Sequence, residues 1–112
     1  MKIAVPVVEG RLAAHFGHCE EFVLFDVDEA SSAVVGSESL TAPPHQPGLL
    51  PAWLGEHGAE LIIAGGMGTR AQQFFNQYDI QVIVGAPSLE PQQVVEDYLA
   101  GMLEAGENVC DH

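Results

Sequence analysis

The sequence predicts an α/β protein: a mixed five-stranded sheet, in the order βββαβαβα, with helices on its faces. Three observations carry this. Three runs rich in β-branched and aromatic residues follow one another before residue 41 with short connections, the pattern of an antiparallel meander. From residue 48 onward, short apolar runs alternate with helical periodicity, which implies parallel strands joined by right-handed crossovers. At 112 residues and 47% apolar, the chain has enough material for one core. The expected organisation is a single domain over 1–106 and a short acidic tail, 107–112.

The elements follow in order. Residues 2–7 (KIAVPV) read as a buried strand with Pro6 near its end. Glu9, Gly10 and Arg11 form a turn. Residues 21–28 (EFVLFDVD) are a second strand, in which Phe22 and Leu24 alternate with Val23 and Phe25. A loop with Ser31 and Ser32 leads to a third strand, 33–40. The stretch 41–47 is a proline-rich loop. Leu49, Leu50, Trp53 and Leu54 then recur at helical spacing, and Gly58 closes that helix. Residues 60–64 (ELIIA) form a strand, 65–68 a loop, and Thr69 caps a helix running to Tyr78 with Ala71, Phe74 and Phe75 inward. Residues 81–84 (QVIV) form the last strand. Ser88 caps a final helix with Pro91 in its first turn, a stripe from Val94 to Leu103, and Gly106 at its end.

Charge narrows the function. The net charge of −13 comes from 16 acidic and 3 basic residues. Phosphate binding needs Lys and Arg to displace counterions, so nucleic acid is disfavoured, and an anionic membrane surface equally so. The apolar run from Ile3 to Val8 is too short for a secretory signal and no small-residue cleavage site follows it, so no export signal is expected, and no run approaches a membrane span. Reduced cysteines and a cytoplasmic location are expected. No G-x-S-x-G elbow is present, and the strands 2–7 and 60–64 offer no carboxylate but Glu60 for a two-metal site, so a binding role rather than an enzymatic one is expected.

The chemistry-bearing residues fall into islands. The first is His15-Phe16-Gly17-His18-Cys19, where a bend at Gly17 would let His15, His18 and Cys19 converge. The second is Pro43-Pro44-His45, on a pre-ordered arm. The third is the chain end, with Cys110 and His112. Imidazole, thiolate and thioether suit borderline and soft transition metals and metal–sulfur clusters. Between the islands lies Gly65-Gly66-Met67-Gly68, after a strand and before a helix. Its glycines would let an anion approach backbone N–H groups at the helix N-terminus, with Arg70 just behind. The loop lacks the Gly-Lys-[Ser/Thr] of a phosphate-binding P-loop. Two alternatives stand beside an anionic ligand. One is a direct transition-metal site built from His15, His18, Cys19, Cys110 and His112. The other is a metal-free interaction module in which the islands serve folding or docking. A Cys19–Cys110 disulfide is also open.

Taken together, the start Met1-Lys2-Ile3-Ala4-Val5-Pro6, His15-Phe16-Gly17 after the first strand, the strand from Phe22 to Asp28, Gly65-Gly66-Met67-Gly68, and the run from Ile80 to Gly85 resemble the dinitrogenase iron–molybdenum cofactor-binding (nitrogenase accessory factor-like) family. The resemblance spans essentially the whole chain. It implies a ribonuclease H-like α/β fold and binding of a preassembled metal–sulfur cluster, of iron–sulfur, iron–molybdenum–sulfur or molybdenum–copper–sulfur type. One branch, the small orange proteins, holds a molybdenum–copper sulfide cluster without covalent protein–metal bonds. The implied role is storage, delivery or cofactor assembly. Cluster donor or acceptor proteins, or a P-loop ATPase, are the implied partners. On this reading His15, Phe16, His18, His45, Gly65, Gly66, Met67, Gly68 and Arg70 contact the cluster. The amides would cradle it, the imidazoles would donate to sulfide or ligate metal, and Phe16 and Met67 would limit water.

Overall fold

The computed structural model describes residues 1–43, 48–103 and 106. The strands are β1 (Lys2–Val8), β2 (Arg11–Leu12), β3 (Glu21–Asp28), β4 (Ala33–Thr41), β5 (Ala59–Ile63) and β6 (Gln81–Ile83). The helices are α1 (Leu49–Glu56), α2 (Thr69–Gln77) and α3 (Pro91–Leu99). The five longer strands lie in the order β4-β3-β1-β5-β6, and the two-residue β2 folds back onto β1 as an addition to the expected five. β1 to β3 and β3 to β4 are antiparallel, whereas β5 pairs parallel with β1 and with β6. This is the expected ribonuclease H-like α/β arrangement.

The period-2 alternation of β1 and β3 sorts their side chains into two cores. On one face Ala4, Phe22 and Leu24 meet Leu50 and Leu54 of α1 and Phe75 of α2. On the other, Ile3, Val5, Phe25 and Val27 meet Val94 and Val95 of α3. Phe22 and Leu54 are fully buried. Among the described residues no helix is long and apolar enough to cross a membrane.

Several strand and helix bounds shift by one residue, and larger or better defined differences lie at three helix ends. The final helix stops at Leu99 rather than at Gly106. Gly101 takes φ +72°, its N–H donates to the Tyr98 carbonyl (3.1 Å), and the Met102 N–H reaches back to the Asp97 carbonyl (2.7 Å). That pair of bonds is a Schellman closure, and it ends the helix although Met102 and Leu103 continue its apolar stripe. Ser88 does not cap this helix; Glu90 does, because Pro91 forbids helical backbone in the residue before it and is itself pre-set for the first helical position. At α2 the cap is Gly68, in extended backbone (φ −65°, ψ 155°), with Thr69 the first helical residue.

Among the described residues a Cβ at Gly101 meets nothing within 4 Å, so what opposes a side chain there is backbone strain. Gly101→Ala is expected to destabilise the fold by about 1 kcal/mol, the usual cost of left-handed backbone in a residue with a Cβ. Urea unfolding checks this; an unchanged midpoint would mean that the closure does not end α3.

Candidate functional site

The candidate site forms at the sheet edge where β1, β5 and β6 end. After β1 the chain makes the β2 hairpin and returns through Ala13, whose N–H donates to the Pro6 carbonyl (2.9 Å). The next segment is sewn to the loop after β5. The Gly66 N–H donates to the Ala14 carbonyl (2.6 Å), and the Phe16 N–H donates to the Gly66 carbonyl (2.8 Å), so His15 bridges Gly66 in a parallel pair. The seam extends further. The Gly85 N–H donates to the Gly65 carbonyl (2.5 Å), and the Gly106 N–H donates to the Gly85 carbonyl (2.6 Å).

The glycines are there for protein backbone. A Cβ on Gly65 would lie 2.8 Å from the Ala14 carbonyl oxygen and 2.9 Å from that of Ala13. A Cβ on Gly85, at φ +81°, would overlap the Gly106 backbone. The expected anion cradle is therefore smaller than the motif suggested, since the Gly66 amide is spent on Ala14. Gly68 differs: among the described residues a Cβ there meets nothing within 4 Å, so on their side it borders open space at the start of α2. The start of α2 is also the positive end of that helix's dipole.

Alternation places the first island. Phe16 turns inward, buried against Phe22 (centroids 6.0 Å) and edge-on to Phe75 (5.5 Å), while His15 beside it is exposed. Residues Phe16–His18 form one 3-10 turn, the bend expected at Gly17. Met67 is fully buried in the same core as Phe16, so its thioether is part of the floor beneath the seam. Cys19 is half-buried on that core. Burial pushes its thiol up from 9.0 to about 11, against a smaller lowering by a backbone hydrogen bond. The expected thiolate is thus a neutral thiol at pH 7, and binding metal through it means displacing a tightly held proton. Arg70 lies over the Phe74 ring of its own helix, 5.9 Å from the centroid. Among the described residues no group of three His, Cys, Asp or Glu side chains could hold a metal ion.

His45, Cys110 and His112 lie outside the described residues, and of His18 only the backbone is described. The departure points of the segments that carry them are clear. The Ala42 N–H donates to the Glu20 carbonyl (3.0 Å), next to Cys19. The chain resumes at Gly48, where a Cβ would sit 3.5 Å from the Phe74 ring. Gly106, from which the tail continues, is on the seam itself. Sequence reasoning did not assign Ala13, Ala14, Gly85 or Gly106 to the site. The small-residue pair after the first hairpin and the glycine closing the last strand were the available signals.

The class defined by this fold and edge is an α/β domain presenting an imidazole-bearing loop on a glycine seam beside a helix N-terminus. The chain belongs to the dinitrogenase iron–molybdenum cofactor family, whose model matches residues 1–101. It is 30% identical over 107 residues to an uncharacterized protein of Methanocaldococcus jannaschii, covering 93% of this chain and 90% of that one. Its fold is similar to the crystal structure of PH0822, with TM-score 0.87, 27% identity and 96% of each chain covered. It is also similar to the apo form of the orange protein from Desulfovibrio gigas, with TM-score 0.71 and 25% identity over 96% of this chain and 93% of that one.

The seam predicts opposite tolerance at two glycines of one motif. Gly65→Ala is expected to cost about 2 kcal/mol or more, because the clash is with backbone. Gly68→Ala is expected to fall within about 0.5 kcal/mol of zero, the lost cap preference and the reduced unfolded-state freedom opposing each other. Equal costs in urea unfolding would contradict this assignment. For Cys19, alkylation followed against pH in a Cys110→Ser background should reach half its limiting rate at about pH 11, since the thiolate alone reacts. A midpoint near 9 would show that the thiol is solvated.

Proposed function

We propose that this protein binds a preassembled metal–sulfur cluster at the edge formed by the His15 loop, Gly68 and the start of α2, and carries it for storage, delivery or cofactor assembly. The observation that supports this most directly is the reciprocal backbone pairing of Ala14 and Phe16 with Gly66, in a chain of the dinitrogenase iron–molybdenum cofactor family. It holds an exposed imidazole above a dry floor of Phe16 and Met67, next to open space at Gly68.

The donor set suits an anionic sulfide-rich cargo. His15, and with it His18 and His45, would donate to sulfide or ligate an exposed metal. The α2 amides and Arg70 would add positive potential. Cys19, Cys110 and His112 would ligate metal directly only where the cluster displaces a thiol proton or offers an open position. Each charge-assisted hydrogen bond contributes ~1.5–3 kcal/mol, so several acting together are required for retention through dilution. The cargo is iron–sulfur, iron–molybdenum–sulfur or molybdenum–copper–sulfur in type, and the role is non-catalytic and cytoplasmic.

The test is anaerobic reconstitution with iron plus sulfide, and in parallel with tetrathiomolybdate plus copper. Desalting, a visible spectrum, and metal and acid-labile sulfide analysis would follow. Stoichiometric sulfide with charge-transfer bands is expected in one arm, with His15→Ala lowering retention about 10-fold or more. Metal held without sulfide would replace the proposal with a direct His/Cys metal site. Neither metal nor sulfide would leave a metal-free interaction module.

A further inference from the structure

We propose that Gln72 is a positioning residue of the cluster edge. It holds the peptide joining Met67 to Gly68 with its carbonyl turned into the protein and its N–H turned to the cargo. The role rests on the cluster reading above and belongs to a residue which that reading does not use.

All four carbonyls of the loop 65–68 are tied back to protein donors. Gly65 accepts from the Gly85 N–H (2.5 Å), Gly66 from the Phe16 N–H (2.8 Å) and Gly68 from the Gln72 N–H (3.1 Å). Met67 accepts from the Gln72 side chain, through Nε2 (3.0 Å). A carbonyl oxygen is the negative end of its peptide dipole, so each bond turns a group that would repel an anionic ligand away from the open edge. Three of the donors are backbone groups. The fourth is a half-buried side-chain amide in α2, and it is the one that a substitution can take away without touching the backbone.

The Met67 carbonyl and the Gly68 N–H belong to one planar trans peptide and point in opposite directions. With the carbonyl directed at Gln72, the Gly68 N–H is directed away from it. Among the described residues that N–H has no acceptor, and Gly68 supplies no side-chain cap to α2.

Gly68 is also the residue at which this peptide can turn over. Its backbone (φ −65°, ψ 155°) is open to any residue, and among the described residues a Cβ there meets nothing within 4 Å. Neither contact nor the present φ calls for glycine. Turning the peptide over would keep ψ extended and carry φ to positive values, a region open essentially to glycine alone. The loop therefore has two settings, N–H outward or carbonyl outward, and the Gln72 bond selects the first.

The test uses Gln72→Met, which keeps the side chain's length and removes the donor, and Gly68→Ala, which closes the positive-φ setting. A cooperative thermal transition shows that each variant is folded. In the 15N-labelled apo chain the N–H to Hα couplings of Gly68 report its φ. They are expected to leave the parent values in Gln72→Met, and unchanged couplings overturn the proposal whatever the cargo. Tetrathiomolybdate, a diamagnetic sulfide anion, is then titrated anaerobically while the Gly68 N–H shift is followed. Gln72→Met is expected to weaken binding about 10-fold, the scale of one charge-assisted hydrogen bond. The double variant should bind within about twofold of Gly68→Ala, because alanine holds the first setting without the bond. Equal weakening in both backgrounds would mean lost packing at residue 72 and overturns the proposal. Parent-like binding by Gln72→Met overturns it as well and leaves the cluster reading standing, whereas a parent without a saturable shift removes the cluster reading and this role together.

Discussion

The close approach of two backbones, Ala13-Ala14 on one side and Gly65-Gly66 on the other, is the constraint on which the candidate site depends. Two hydrogen bonds join the segments, and each contributes only about 1 kcal/mol net. Their importance is geometric. Gly65 and Gly66 are buried, so an amide or carbonyl deprived of its partner there would also be deprived of water. The approach in turn requires a residue without Cβ at Gly65. One missing methyl group thus sets where the loop after β1 lies relative to the loop after β5. It thereby sets where His15 stands above the sheet edge.

The aromatic packing beneath makes that position stable. Phe16 is wedged between Phe22 of the meander half and Phe75 of the crossover half, so the 3-10 turn is pinned to both parts of the chain. Alternation along an extended backbone then sends His15 outward. Trp53 continues the cluster from Phe22 (5.7 Å) to His57 (5.0 Å) and ties α1 to the same floor. Function on this edge can therefore be carried by few exposed side chains, because buried aromatics and backbone bonds do the positioning.

Much of this was legible in the sequence. Alternation in 21–28 marks a strand whose bounds match β3, and strand–helix alternation after residue 48 predicts the parallel half. Capping was less legible, because Ser88 and Thr69 look like caps in isolation while Pro91 and Gly68 decide the real starts. The glycines were the deepest ambiguity. A Gly-Gly-Met-Gly loop before a helix admits an approaching anion or an approaching backbone, and only tertiary structure says which. Gly65 and Gly66 face the chain itself, whereas Gly68 faces space. The proton affinity of Cys19 was illegible for the same reason. Its proton affinity is set by burial, and burial depends on how a loop packs onto β3 and α1, which no local spacing encodes.

The overall charge bears on how such a protein would handle its cargo. A chain at −13 repels an anionic cluster at long range, yet at physiological salt that field is screened beyond ~8 Å. On the proposed reading the balance at contact would belong to the imidazoles, the α2 N-terminus and Arg70, whose guanidinium lies over the Phe74 ring. Affinity on the proposed reading is then a sum of a few short-range donors working against a repulsive background. Loss of one or two donors to a competing protein would be enough to release the cluster. Tight retention would instead call for a closed cage of thiolates, and the one described cysteine holds its proton to about pH 11. On the proposed reading, a balance of this kind suits a carrier that gives its cargo up.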